Sequence, residues 1–245
     1  PYAGKLTGGH FLAEDGKVYE GGQHGFARDL EHRLVSQTAN ELTFELTSGG
    51  ETYAYFPYDF ALRSTYTLEG RRISHSVVVR NTGKGTLRFG FGYHPGFALP
   101  FDDAHTAEDY DVVFDTIESP LCLNTAPNGL VCASPDYYLA RNVDRIPLSA
   151  KLFAHDSHCM VNLKSKTMSV VERDTGRRIV VDIADFPYTL IWSTPQEPMR
   201  FICIEPWHSI PGEDNGPIEW EKKPCAASLA PDEMWQTTLN MTFER

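Results

Sequence analysis

Three stretches carry side chains whose type and placement could do acid–base chemistry. The first is "RFICIEPW", in which Phe201, Cys203 and Glu205 fall on one side of an extended chain and Ile202 and Ile204 on the other. Apolar residues on both sides predict a strand covered on both faces, with Glu205 closing it just ahead of Pro206. A carboxylate at the end of such a strand must be paired, hydrogen-bonded or protonated. It either satisfies nearby backbone N–H groups or serves as a general base whose proton affinity is set by partial burial. The second stretch is "FGYHPGFALPF", where Tyr93 and His94 end a strand that Pro95 does not extend. His94 is either a satisfied core histidine or a general acid working near neutral pH. The third is "GGQHGFARD", where Gly21, Gly22 and Gly25 around His24 predict close backbone approach or unusual dihedrals. Arg28 and Asp29 in the same string can pair with each other or brace the loop. This string is no phosphate-binding loop, because no Lys-Ser/Thr follows and no βαβ pattern surrounds it.

Other groups read as less specific. "HDSH", with His155, Asp156 and His158, has metal-ligand residue types but needs further ligands from elsewhere, and a solvated loop is the default. "FDDAHTAEDYD" could attract Ca²⁺ but lacks the EF-hand spacing, so a solvated face is expected. No G-x-S-x-G occurs, which leaves a serine-hydrolase reading without support. Trp192 in "IWSTP" and Trp207 beside Glu205 could be core or a floor for a sugar ring, with Trp207 preferred for its adjacency to the carboxylate.

The elements that must position these groups are short strands. "ELTFELTSGG" alternates Leu42, Phe44 and Leu46 and stops at a glycine pair. "TYTLEGRRISHSVVVRNTGKG" predicts two strands about a Glu69-Gly70 turn and a second turn at Asn81–Gly85. "LRFGFGYH" alternates aromatic and glycine residues. "TMSVVERDTGRRIVVDI" predicts a hairpin turning at Asp174–Gly176, and "TLIWS" and "RFICIEP" are apolar strands. "WQTTLNMTFE" alternates Trp235, Thr237, Leu239 and Met241 with polar partners. Period-2 patterns with turn signals at close intervals predict an all-β antiparallel sandwich or barrel. No repeat and no Pro/Gly/Ser-rich linker interrupts the chain, so one domain over 1–245 is expected. The least patterned part, roughly 102–150, is expected to be a long excursion between core strands.

The bulk properties agree with a globular protein acting on a neutral small molecule. The chain has 245 residues, 41% of them hydrophobic and 12% aromatic, enough for a substantial core. A formal charge of −11 disfavours nucleic acid as a partner. No run approaches the ~18 apolar residues of a membrane span. The five cysteines, 122, 132, 159, 203 and 225, are odd in number, widely spaced and free of C-x-x-C, which argues against disulfides or a zinc site and for a cytoplasmic setting.

"PYAGKL", "QHGFARD", "YHPGF", "DFPYTLIWS" and "CIEPWHSIPG" together resemble the aldose 1-epimerase (galactose mutarotase) family, in its bacterial lactose-operon-associated and uncharacterised branch. The strings run in the expected order from Pro1 to Gly212. The resemblance implies a large antiparallel β-sandwich of the supersandwich, galactose mutarotase-like type. It also implies further strands ahead of Pro1, so this chain is expected to lack N-terminal strands. It assigns Glu205 as catalytic base, His94 as catalytic acid and His24 as a second histidine holding the sugar. Lys5 stands where many relatives have a sugar-contacting arginine, keeping the charge but not the bidentate fork. Asp156 matches an aspartate that binds sugar hydroxyls, which makes "HDSH" part of a sugar site with no metal. Arg28 is counted with the substrate-binding residues. No cofactor is implied, and a monomer or homodimer is expected.

Three alternatives follow from the same residues. A hexose-6-phosphate 1-epimerase would need cations at the pocket rim, with Lys5, Arg28, Arg71 and Arg72 as candidates. A non-catalytic carbohydrate-binding protein would need no acid–base pair. A glycosidase would need two facing carboxylates, for which Glu205 and Asp156 are available.

Overall fold

A computed structural model describes residues 1–125, 127–223 and 227–245; Cys225 lies outside them. The described chain is almost entirely strand and turn, and its single α-helix, Gly50–Tyr53, is one turn long. Among the described residues no helix is long and apolar enough to cross a membrane. The chain forms two compact units. One comprises Pro1–Phe91 and His208–Asn240, the other Gly92–Trp207 and Met241–Arg245.

In the first unit, Arg33–Gln37, Glu41–Thr47, Phe60–Glu69 and Arg72–Asn81 form an antiparallel meander. The hairpin read from "TYTLEGRRIS" is present, with ten paired positions from Phe60↔Asn81 to Glu69↔Arg72. Gly70 takes φ +60° at the first position of its two-residue loop, where a hairpin turn of matching twist requires a glycine. Arg71 and Arg72 are exposed at this turn. The unit's core is aromatic: Phe11 lies 4.7 Å from Trp220, and Phe56 lies 5.6 Å from Trp220, centroid to centroid.

In the second unit, a six-stranded antiparallel sheet runs in the order Tyr137–Tyr138, Leu121–Leu123, His158–Val161, Tyr188–Trp192, Phe201–Trp207, Gly96–Ala98. One face carries Ile202, Ile204, Ile191, Met160 and Phe97, all buried. Strands Val143–Pro147, Tyr110–Glu118, Thr167–Glu172 and Arg178–Asp182 pair antiparallel in that order, and Arg178–Val181 pairs with Glu244–Met241 at the end of the Met234–Glu244 strand. The hairpin predicted at Asp174–Gly176 is present, with Gly176 at φ +75°. The chain has the galactose mutarotase-like β-sandwich fold, built on large antiparallel sheets.

Two expectations are corrected here. The stretch 102–150 is no excursion: it supplies four strands, and Tyr110, Val112 and Phe114 are fully buried on one of them. Asp111, on the opposite face, is buried as well and is neutralised by Arg173 at 2.8 Å. The acidic run is likewise not simply a solvated face. His105 bridges Asp102 at 2.6 Å and Asp174 at 3.1 Å. Arg177 bonds Asp102 and the fully buried Glu172, which also accepts from the Tyr110 hydroxyl. Donation to the carboxylates of Asp102 and then Asp174 raises the His105 pKa to about 9, so the ring is a cation tying the loop together.

Candidate active site

The site is built on one edge of the six-stranded sheet. Phe201–Trp207 pairs with Tyr188–Trp192 over Cys203–Trp207, and on its other side Gly96–Ala98 covers only Phe201–Cys203. The strand therefore does not end at Glu205: it runs through Pro206, whose carbonyl accepts the Tyr93 N–H at 3.0 Å, to Trp207. Gly96 faces Cys203 and Gly92 bridges Trp207 in the same antiparallel register. That register sets His94 directly opposite Glu205, where cross-strand side chains meet. Their contact follows: His94 Nε2 lies 3.4 Å from a Glu205 carboxylate oxygen.

The two partners differ in environment. Glu205 is 2% exposed, whereas the His94 side chain is 34% exposed. Burial, reinforced by the charge of Asp156, raises the Glu205 pKa from 4.5 to about 8. The carboxyl thus exchanges its proton near neutral pH, beside an imidazole that can hold the same proton. Cys203, two residues earlier on the same strand face, has its sulfur within 4.8 Å of both the His94 and the Glu205 ligand atoms. Sequence reading put Cys203 on the face of Glu205 without giving it a place at the site.

The two tryptophans divide contrary to the sequence preference. Trp207 is 3% exposed, and its indole N–H donates to the Tyr93 carbonyl at 3.1 Å. A Cβ on Gly92 would fall 2.4 Å from the Trp207 ring, so the glycine makes room for it. Trp207 braces the segment that carries His94 and has no open face for a ligand. Half-buried Trp192, opposite Cys203, meets the His94 ring edge-on at 6.1 Å and is the aromatic on the same face as the pair.

Within "HDSH" the residues part. His158 is buried in the core: Nε2 donates to the Leu152 carbonyl and Nδ1 accepts from Tyr137, both at 2.7 Å. Burial lowers its pKa, and both ring nitrogens are committed, which removes it as a metal ligand. Asp156 takes a left-handed φ of +80°, and its charge reaches Glu205.

The remaining sequence candidates lie in the first unit. His24 adopts φ +63°, and its Nδ1 accepts the Gly4 N–H at 3.0 Å. The neutral ring must then carry its proton on Nε2, which makes that nitrogen a donor. Gly25, at φ +69°, packs so closely on Pro1 that a Cβ would lie 2.8 Å from it, as the glycine-rich string predicts. Lys5 is half-buried next to this segment in sequence, and its carbonyl accepts the Gly212 N–H at 2.8 Å. Arg28 is exposed and 3.7 Å from Asp29.

Among the described residues Cys122, Cys132, Cys159 and Cys203 are free thiols.

Comparison with known proteins agrees with this architecture. The model of the family described as Aldose 1-epimerase matches residues 1–216. Protein LacX of Lactococcus lactis subsp. lactis, in its plasmid and chromosomal forms, is 30% identical over 224 residues, covering 90% of this chain and 74% of the relative. A galactose mutarotase related enzyme from Lactobacillus acidophilus superposes with a TM-score of 0.92 at 28% identity, over 100% of this chain and 81% of that one. A galactose mutarotase-like protein from Lactobacillus casei ATCC 334 shares the fold, with a TM-score of 0.87 at 24% identity over 100% and 83% of the two chains. A strand register that sets an imidazole against a buried carboxyl, and a family match spanning most of the sequence, lead to one assignment: this chain belongs to the aldose 1-epimerase family.

Proposed function

We propose that this protein is a mutarotase, interconverting the α and β anomers of an aldohexose. The observation that carries the reading is the His94–Glu205 contact at 3.4 Å, with one member buried and the other open to solvent. Anomer exchange needs one base and one acid acting on a single hemiacetal. Glu205 takes the proton of the anomeric hydroxyl, and C1=O1 forms as the C1–O5 bond breaks. Its electron pair goes to the ring oxygen, which takes a proton from His94. Rotation about C1–C2 presents the other face of the aldehyde, and closure returns both protons to their starting groups. The pair is competent in the state that holds one proton between the two residues.

The raised proton affinity of Glu205 suits this task. With a pKa of about 8, the carboxylate is a far stronger base than an exposed glutamate, yet about a tenth of the molecules hold it ionised at pH 7. Trp192 offers an apolar ring for the sugar's C–H face, and Asp156 offers a carboxylate to its hydroxyls. His24, Lys5 and Arg28 retain the hydroxyl-binding roles implied by the sequence resemblance, to be read as raised KM in His24→Asn, Lys5→Met and Arg28→Met. Polarimetry on freshly dissolved α-galactose and α-glucose tests the function: anomer exchange should be accelerated, and a glycoside, whose anomeric oxygen bears no proton, should be left intact. No acceleration of any free aldose, or cleavage of the glycoside, would reject the reading.

A further inference from the structure

Cys203 has no part in the acid–base chemistry, yet it shares the face of Glu205 and lies diagonally across from His94. Three donors of different softness, an imidazole nitrogen, a thiol sulfur and a carboxylate oxygen, converge with all mutual distances within 4.8 Å. In a tetrahedral zinc site with bonds of about 2.0–2.1 Å to nitrogen and oxygen, two such ligand atoms stand about 3.4 Å apart. The His94 Nε2 to Glu205 separation is already 3.4 Å. The sulfur needs only a side-chain adjustment to complete the triangle. Gly96, the residue paired with Cys203, presents no side chain to the sulfur; a Cβ there would sit in ordinary contact at 3.5 Å.

We propose that His94, Cys203 and Glu205 form a binding site for a thiophilic divalent cation, best fitted by Zn²⁺, whose occupancy blocks the acid–base pair. Thiolate with imidazole selects zinc-like ions over Mg²⁺ or Ca²⁺, which prefer all-oxygen shells. Burial supplies the electrostatic reason. Glu205 and Cys203 are both buried, so a dication held between them would balance the charge of the carboxylate and thiolate as it displaces their protons to solvent. The other convergent cluster, Asp102, His105 and Glu172, does not compete for the role, since Arg177 already holds both of its carboxylates. Because the metal would take the lone pairs that the sugar chemistry uses, it is an inhibitor rather than a cofactor.

Co²⁺ titration of the full chelator-treated chain tests the site without any activity assay, so its outcome is separable from that of the mutarotase reading. A sulfur-to-cobalt charge-transfer band with intense tetrahedral d–d absorption is expected, bleached by Zn²⁺ and absent in Cys203→Ser. Zn²⁺ affinity in that variant should fall by more than the roughly 10–100-fold that follows loss of a mere hydrogen-bond partner of a ligand. Circular dichroism checks the variant's fold, and His94→Gln should weaken binding while leaving the thiol in place. The proposal is overturned by absence of the charge-transfer band in the wild type or by its persistence in Cys203→Ser.

Discussion

Replacing Glu205 by Gln separates the chemistry of the carboxyl from its shape. The amide keeps the volume but can neither accept the anomeric proton nor carry charge in a 2%-exposed position. Loss of one general acid–base group is worth roughly 10²–10⁴-fold in rate. The same substitution has a second, opposite consequence for stability. Glu205 titrates at 4.5 when unfolded and at about 8 when folded. Between those values the folded state holds a proton that the unfolded state has released, so stability falls as pH rises across this window. The lost proton affinity corresponds to at most about 5 kcal/mol, fully expressed above pH 8. Glu205→Gln carries no such cost. Urea unfolding of both proteins from pH 5 to pH 9, with chelator present, should show the variant gaining on the wild type by several kcal/mol as pH rises, while polarimetry shows it nearly inactive. A stability difference that stays constant over this range would refute the claim that Glu205 is ionised against its desolvation cost.

Four further outcomes follow from the same geometry. His94→Asn should lose rate by a similar factor with its unfolding midpoint nearly unchanged, since the ring is partly exposed; equal losses of rate and stability would mark a core residue instead. Trp192→Ala should raise KM for the sugar more than it lowers kcat, in steady-state polarimetry at varied sugar concentration. Gly92→Ala forces a methyl into a space 2.4 Å from the Trp207 ring, and thermal unfolding should show a loss of about 1–3 kcal/mol. Ile204→Ala empties a fully buried position beneath the site, and should cost about 2–5 kcal/mol in urea unfolding.

Much of this molecule can be read along the chain because a strand displays its two faces at period 2. The alternation in 201–205 places Cys203 and Glu205 together and Ile202 and Ile204 on the core side, and the turn residues at Gly70 and Asp174–Gly176 mark their hairpins, since a positive φ in a tight turn favours glycine. Residues 102–150 resisted the same reading. Their strands bury charged groups whose partners, Arg173 for Asp111 and the Lys164 and Ser165 N–H groups for Glu118, are remote in the chain, and a satisfied carboxylate looks polar in a sequence although it behaves as core. Trp207 and Trp192 look alike in a string of letters. Which of them lies buried and which stays accessible depends on the cavity left by Gly92 and on the pairing of Trp192 with Cys203, and no local pattern encodes either. The meeting of His94 with Glu205 likewise arises from a register between segments far apart in the chain, and the proton affinity of the carboxyl arises from the water that this packing excludes. Local alternation reports the direction of a side chain. Its distance to a partner and its solvation are properties of the assembled sheet.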